Sequence, residues 1–168
     1  GIADRGHEIG LHPSYNTFLD PAATKAEFDQ LRRVCARLGI EQSTWGGRQH
    51  YLRWRNPDTW QNWADAGLSY DSTLGFADES GFRCGVCYEY PVFNLRTRQR
   101  LPLRERPLIV MDATLLGDLD RPGGSLSPSE AVAFIVKLWE RCARFDGDFT
   151  LLWHNTWLLQ RRQRAAYR

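Results

Sequence analysis

The segment Gly6-His7-Glu8-Ile9-Gly10-Leu11-His12-Pro13-Ser14 sets an imidazole, His12, directly behind a short apolar stretch and ahead of a proline-containing loop. Imidazole binds zinc and similar divalent ions well when its second ring nitrogen has a partner. His12 is therefore a candidate metal ligand, with an ordinary loop histidine as the alternative. His7 falls on the opposite face of an extended segment and is expected to be a packed, hydrogen-bonded structural residue. In Leu151-Leu152-Trp153-His154-Asn155 a second histidine, His154, stands behind an apolar run. That position suits a general acid whose proton affinity its surroundings can tune, or else a residue that merely caps a strand end. Gly46-Gly47-Arg48-Gln49-His50-Tyr51 supplies Arg48, whose planar guanidinium can hold a carboxylate through two bonds. The two glycines before it permit close backbone approach, which argues against a plain surface arginine. Tyr70-Asp71-Ser72 offers a carboxylate, Asp71, as partner for Arg48 or for a catalytic histidine. Cys84-Gly85-Val86-Cys87 has the spacing of half a zinc ribbon or a redox pair, but one such pair is more simply a turn with two thiols.

These residues need elements to position them. Residues 7–12 read as a short strand. Asp20-Pro21 opens a helix whose apolar positions Phe28, Leu31, Val34, Cys35 and Leu38 follow the helical period up to Gly39. Residues 43–50 read as a second strand, kinked at Gly46-Gly47. Asn56-Pro57-Asp58 begins a second helix through Trp60 and Trp63, and residues 68–72 form a strand. Residues 75–107 are irregular, with a possible hairpin across 92–103; Phe76, Phe82, Tyr88, Tyr90 and Phe93 there suit either sugar recognition or packing of a long loop. Residues 108–116 read as a strand, Ser127-Pro128-Ser129-Glu130 caps a long helix that ends by Gly147, and residues 149–154 form the last strand. Alternating strands and helices imply parallel pairing and an α/β fold, in which functional residues gather at the C-terminal ends of strands. That rule selects His12, His50, Asp71, Asp112 and His154.

The 168 residues are 42% hydrophobic and 25% charged, which excludes a collagen, a disordered tail and a coiled coil. One domain spanning 1–168 is expected for this length. The longest apolar runs are far shorter than the roughly 20 residues of a membrane span, so no span is expected. Net charge is +2, and no basic stripe or recognition module points to nucleic acid; the tail residues Arg161, Arg162, Arg164 and Arg168 read as a solvated helix face. No leader precedes Gly1-Ile2-Ala3-Asp4, and the opening reads as the middle of an α/β unit, so a piece of a longer protein is expected. Oligomeric state stays open, and so does location, with the cytoplasm favoured.

Taken in order, Gly-His-Glu-Ile-Gly-x-His, Gly-Arg-x-x-Tyr, Tyr-Asp-Ser and Leu-Leu-x-His resemble the polysaccharide deacetylase family, the carbohydrate esterases of NodB type, in a divergent bacterial branch. The resemblance spans residues 1 to about 158. It implies an irregular (β/α) barrel, here incomplete at its N-terminus. It also implies metal-dependent removal of acetyl groups from a glycan. Under it, His12 matches the first member of a metal-binding histidine pair, Asn16 occupies the second position, and His50 is a possible substitute ligand, with zinc the expected ion. Arg48 matches the residue that orients the catalytic base, Asp71 a carboxylate motif, and His154 the general acid. Leu152 and Tyr51 would face substrate. The family's Asp-Asp motif is not found upstream of His12, so residues 1–168 alone are expected to be catalytically silent. Two other readings stay open: a non-catalytic glycan-binding or structural domain that lost its metal, and a hydrolase of a C–N bond in a non-sugar substrate.

Overall fold

The computed structural model describes residues 1–117 and 126–167. Arg168 of the basic tail lies outside the described residues. The architecture is mixed α/β and divides into two compact units. The first comprises Gly1–Thr73 and Glu89–Arg106; the second comprises residues 74–88 and those described from 107 onward.

In the first unit, strands β1 (Gly46–Gly47), β2 (Tyr70–Asp71), β3 (Tyr90–Asn94) and β4 (Gln99–Glu105) form one sheet in the order β1-β2-β4-β3. The β1–β2 and β2–β4 pairs are parallel, and β3–β4 is an antiparallel hairpin. Asn94 closes that hairpin, its Oδ1 accepting from the backbone N–H of Arg96 and Thr97. The helix expected at Asp20-Pro21 is α1 (Pro21–Arg37), capped by Asp20 Oδ1, which accepts from Ala23 N–H at 2.9 Å. Its buried face is Thr24, Phe28 and Cys35; Val34 and Leu38, expected inside, are exposed. Helix α2 (Asp58–Ala66) buries Trp60 and Trp63 and lies between the parallel strands β1 and β2 in sequence.

Strand lengths fall short of expectation for a definable reason. Residues 7–12 are not a full strand: Leu11 alone bridges Gly47. The backbone N–H and C=O of Ile9 are both taken by the side-chain amide of Gln42, at 3.0 Å each, so no neighbouring strand receives them. His7, expected to be packed, is exposed. Residues 43–50 contribute only β1, and His50 instead opens a tight turn, His50–Leu52.

In the second unit, β5 (Val110–Met111) pairs in parallel with β6 (Leu151–Leu152), Val110 against Leu151 and Met111 against Leu152. The chain does not continue as a strand to residue 116; α3 (Asp112–Leu116) starts at once. Helix α4 (Pro128–Arg144) begins in a complete capping box of Ser127 and Glu130. Ile109, Val110, Leu115, Leu116, Ala131, Leu138 and Cys142 form the core, and α5 (Arg161–Tyr167) adds Ala166. All four cysteines are free thiols, with Cys35, Cys87 and Cys142 buried. Among the described residues neither sheet closes into a barrel, and no helix is long and apolar enough to cross a membrane.

Candidate functional site: two histidine clusters

The first cluster is built on the close approach of Leu11 to β1. Leu11 N–H donates to Gly46 O at 2.8 Å, and Arg48 N–H donates to Leu11 O at 2.9 Å. A Cβ on Gly47 would stand 1.9 Å from that same Leu11 oxygen, and one on Gly46 would meet the Tyr70 ring at 2.4 Å. Both glycines are therefore required by contact, which is what the sequence pattern suggested. The pairing fixes His12, the next residue, beside the chain that follows β1.

His12 Nδ1 lies 2.9 Å from Arg48 O. A carbonyl only accepts, so Nδ1 carries the proton and Nε2 presents its lone pair. His50 Nδ1 faces that lone pair at 3.0 Å. The structure thus brings together His12 and His50, two of the three residues expected to hold metal. His50 is held by a turn in which Tyr51 (φ 57°) and Leu52 (φ 52°) are both left-handed. For non-glycine residues that conformation costs about 1–2 kcal/mol each.

Beneath this pair lies a buried polar network. Arg48 does not grip a carboxylate through two bonds as expected; its Nε donates to Ser72 O at 2.7 Å and its Nη2 to Ser72 Oγ at 2.9 Å. Asp71 is fully buried and takes the Thr73 hydroxyl proton donor on Oδ1, while Oδ2 has no hydrogen-bond partner among the described residues. Burial pushes the Asp71 carboxyl up to about 7, against the opposing pull of Thr73 and of the Arg48 charge. Arg48 is lowered by its own desolvation, offset in part by Asp71 and Glu105. Glu105 is also buried and accepts from Trp60 Nε1–H at 3.1 Å. Ser72, Thr73 and Glu105 were not singled out in the sequence: hydroxyls and a hairpin glutamate carry no spacing signal.

Asn16 has a different partner. Its Oδ1 accepts from Arg53 Nη1 at 3.1 Å, and the Arg53 guanidinium lies 3.9 Å from the centres of both the Tyr15 and Phe18 rings. A permanent cation at that oxygen opposes binding of a divalent ion there.

The fit to a metal can be tested on these distances. Zinc bonds of about 2.0–2.1 Å in a tetrahedron leave neighbouring donor atoms roughly 3.3 Å apart. The 3.0 Å spacing of His12 Nε2 and His50 Nδ1 is close to that, and the carbonyl on His12 Nδ1 is the outer partner a metal-binding histidine takes. The two histidines fit two positions of such a site. No group of three His, Cys, Asp or Glu suited to a metal occurs among the described residues.

The second cluster follows from the β5–β6 register. Parallel pairing of Met111 with Leu152 delivers the residues that follow each strand to the same edge. Asp112, buried, accepts from the His154 backbone N–H on Oδ2 at 2.6 Å and from Ala113 N–H on Oδ1 at 2.7 Å. His154 Nδ1 lies 2.7 Å from Asp112 Oδ1. With the carboxylate accepting, Nδ1–H is the donor and Nε2 is the outward nitrogen. The Trp157 ring stacks on His154 at 5.7 Å between centroids and 29° between planes. His154 thus has a carboxylate orienter, but that orienter is Asp112 rather than Asp71. The strand-end rule selects Asp112; the motif comparison passes over it. Leu152 sits in β6, half-buried, and Tyr51 stands exposed beside His50.

No family model matches the chain, and no curated protein matches it.

Proposed function

We propose that the protein is a metal-dependent hydrolase of the polysaccharide deacetylase type, with the irregular barrel of that family, acting on acetyl groups of a glycan. The observation that carries this reading is the pair His12 Nε2 and His50 Nδ1, 3.0 Å apart with the His12 tautomer set by a backbone carbonyl. A divalent ion, zinc by donor type, would be held by these two nitrogens together with further ligands; Asn16 would join them only by giving up its bond to Arg53. When bound, such an ion polarises an acyl carbonyl and acidifies water. Every other role belongs to the chain's own residues. Arg48, fixed by Ser72, keeps a positive charge over the buried Asp71. His154, in the second unit, is assigned the proton donor, with its ring oriented by Asp112 through Nδ1. Tyr51 and Leu152 are assigned to substrate.

A second reading, a glycan-binding domain without a metal, has one observation in its favour: the Asn16 oxygen is given to Arg53.

The test is release of acetate from acetylated oligosaccharides by the protein in its full encoded length. His154→Ala is expected to lower kcat by about 10²–10⁴, the usual worth of a positioned acid or base. Asp112→Asn is expected to lower kcat while leaving KM nearly unchanged, since it misorients the acid without touching the acyl group. Activity that survives in His154→Ala rejects the assignment.

A further inference from the structure

Cys84, Cys87 and Cys142 all belong to the second unit, and neither histidine cluster uses them. Spacing in the sequence pairs Cys84 with Cys87; the fold pairs Cys87 with Cys142. Cys142 occupies the last turn of α4, and Cys87 reaches the same apolar core near the end of the segment 74–88. Two successive backbone amides tie their main chains together. Gly147 N–H donates to Cys142 O at 2.9 Å, and Asp148 N–H donates to Cys87 O at 2.6 Å. A Cβ on Gly147 would stand 2.3 Å from Cys87 Sγ, so the sulfur fills the space that a side chain there would take. The Cys142 thiol shares a hydrogen bond with the Cys87 thiol.

The three sulfurs differ in reactivity. Burial first, then the neighbouring Cys87 and the Asp148 charge, push the Cys142 thiol up to about 11. A thiol held that high is seldom ionised near neutrality, so it is not the sulfur an oxidant meets first. It is also a poor leaving group, so a disulfide that contains it resists reduction. Cys84 is the accessible member, only partly buried. It stands two residues from Cys87 across a turn in which Gly85 is left-handed (φ 72°) and donates its N–H to Phe82 O at 2.9 Å.

We infer that Cys87 and Cys142 are a redox couple that closes to a disulfide, with Cys84 as the entry thiol for a small disulfide of the glutathione class. The couple is independent of the hydrolase reading. The Cys84 thiolate attacks one sulfur of the small disulfide, whose S–S bond breaks; a mixed disulfide forms on Cys84 and one small thiolate leaves. The Cys87 thiolate attacks the Cys84 sulfur and expels the second small thiolate. The Cys142 thiolate then attacks the Cys87 sulfur, and Cys84 departs as a thiolate. Two electrons pass from the Cys87 and Cys142 thiols to the small disulfide, and their two protons end on the two small thiols released. The new bond closes a loop of about 55 residues, long enough to constrain the unfolded chain strongly.

The experiment incubates the folded chain with oxidised glutathione at mildly alkaline pH, alkylates the remaining thiols, and maps the peptides by mass spectrometry beside a thermal melt. The expected product has Cys87 linked to Cys142, with Cys35 and Cys84 alkylated. Its thermal midpoint is expected to rise by about 5 °C or more and to fall back on reduction with dithiothreitol. The map is read on the wild type, so no core variant has to fold. Cys84→Ser is expected to reach the same cross-link about tenfold more slowly, with a reduced-state melt like that of the wild type. A final Cys84–Cys87 link, a glutathione adduct that persists on Cys84, or four alkylated thiols overturns the inference. So does a Cys84→Ser chain that closes the Cys87–Cys142 bond as fast as the wild type.

Discussion

His12 donates its Nδ1 proton to Arg48 O, and that one bond decides what the other ring nitrogen can do. Nε2 becomes a lone pair, and His50 meets it with Nδ1, either as a donor or, beside a cation, as a second lone pair. Asp71 shows the opposite situation, a carboxyl whose surroundings favour the proton. Its folded value of about 7 lies above the ordinary 3.8, raised mainly by burial. Below about pH 4 the folded and unfolded chains are both protonated there, so the contribution to stability is fully present. As pH rises toward 7 the unfolded chain releases the proton while the folded chain retains it, and stability falls. Asp71→Asn cannot titrate. Thermal unfolding followed from pH 4 to 8 is therefore expected to show the wild type losing ground to Asp71→Asn up to about pH 7, then running parallel. A constant difference between the two across that range would show that Asp71 is ionised throughout. The residue types at these positions were readable in advance. The partners were not: Arg48 goes to Ser72, His154 goes to Asp112, and Asn16 goes to Arg53, because side-chain pairing depends on which strand ends lie side by side.

At the scale of elements, the glycine pair of β1 is the feature on which the first cluster depends. Gly47→Ala places a methyl group 1.9 Å from the Leu11 oxygen, so either β1 or the Leu11 segment must move. The expected cost is about 1–3 kcal/mol, in the range of overpacked core sites, with loss of the His12–Arg48 bond. Urea unfolding measures the first effect and the histidine side-chain NMR signals the second; an unchanged midpoint with unchanged signals contradicts it. Helices were the more legible elements. Asp20-Pro21 and Ser127-Pro128-Ser129-Glu130 are local signals, and the helices start where those signals lie. Strands were less legible, because their ends are decided at a distance. Gln42 removes Ile9 from pairing, and Asp112 turns the chain into α3 directly after two paired residues. No pattern of apolar residues contains either fact. The exposed Val34 and Leu38 obeyed the helical period yet face water, since the period alone does not say how wide the buried stripe is.

At the scale of the whole molecule, each compact unit carries its own histidine cluster, and each cluster is set by a parallel strand contact that ends just before it. A mixed α/β fold was legible from the alternation of elements, and the strand-end rule singled out His12, His50 and His154. The described strands number four in one sheet and two in the other, so the irregular barrel implied by the family resemblance is not shown among them. Net charge of +2 gives no long-range attraction for a cation, so any metal affinity must come from local donors. The central claim is that His12 and His50 are those donors, and zinc binding at neutral pH measures it directly. Calorimetric titration of zinc into the chain, with nitrogen-15 spectra of its histidine rings, is expected to show one ion bound per chain. The His12 Nε2 and His50 Nδ1 resonances should shift together, His12→Ala and His50→Ala should each lose at least tenfold in affinity, and His7→Ala should lose none. Zinc uptake that is equal in the wild type, His12→Ala and His50→Ala would contradict the claim.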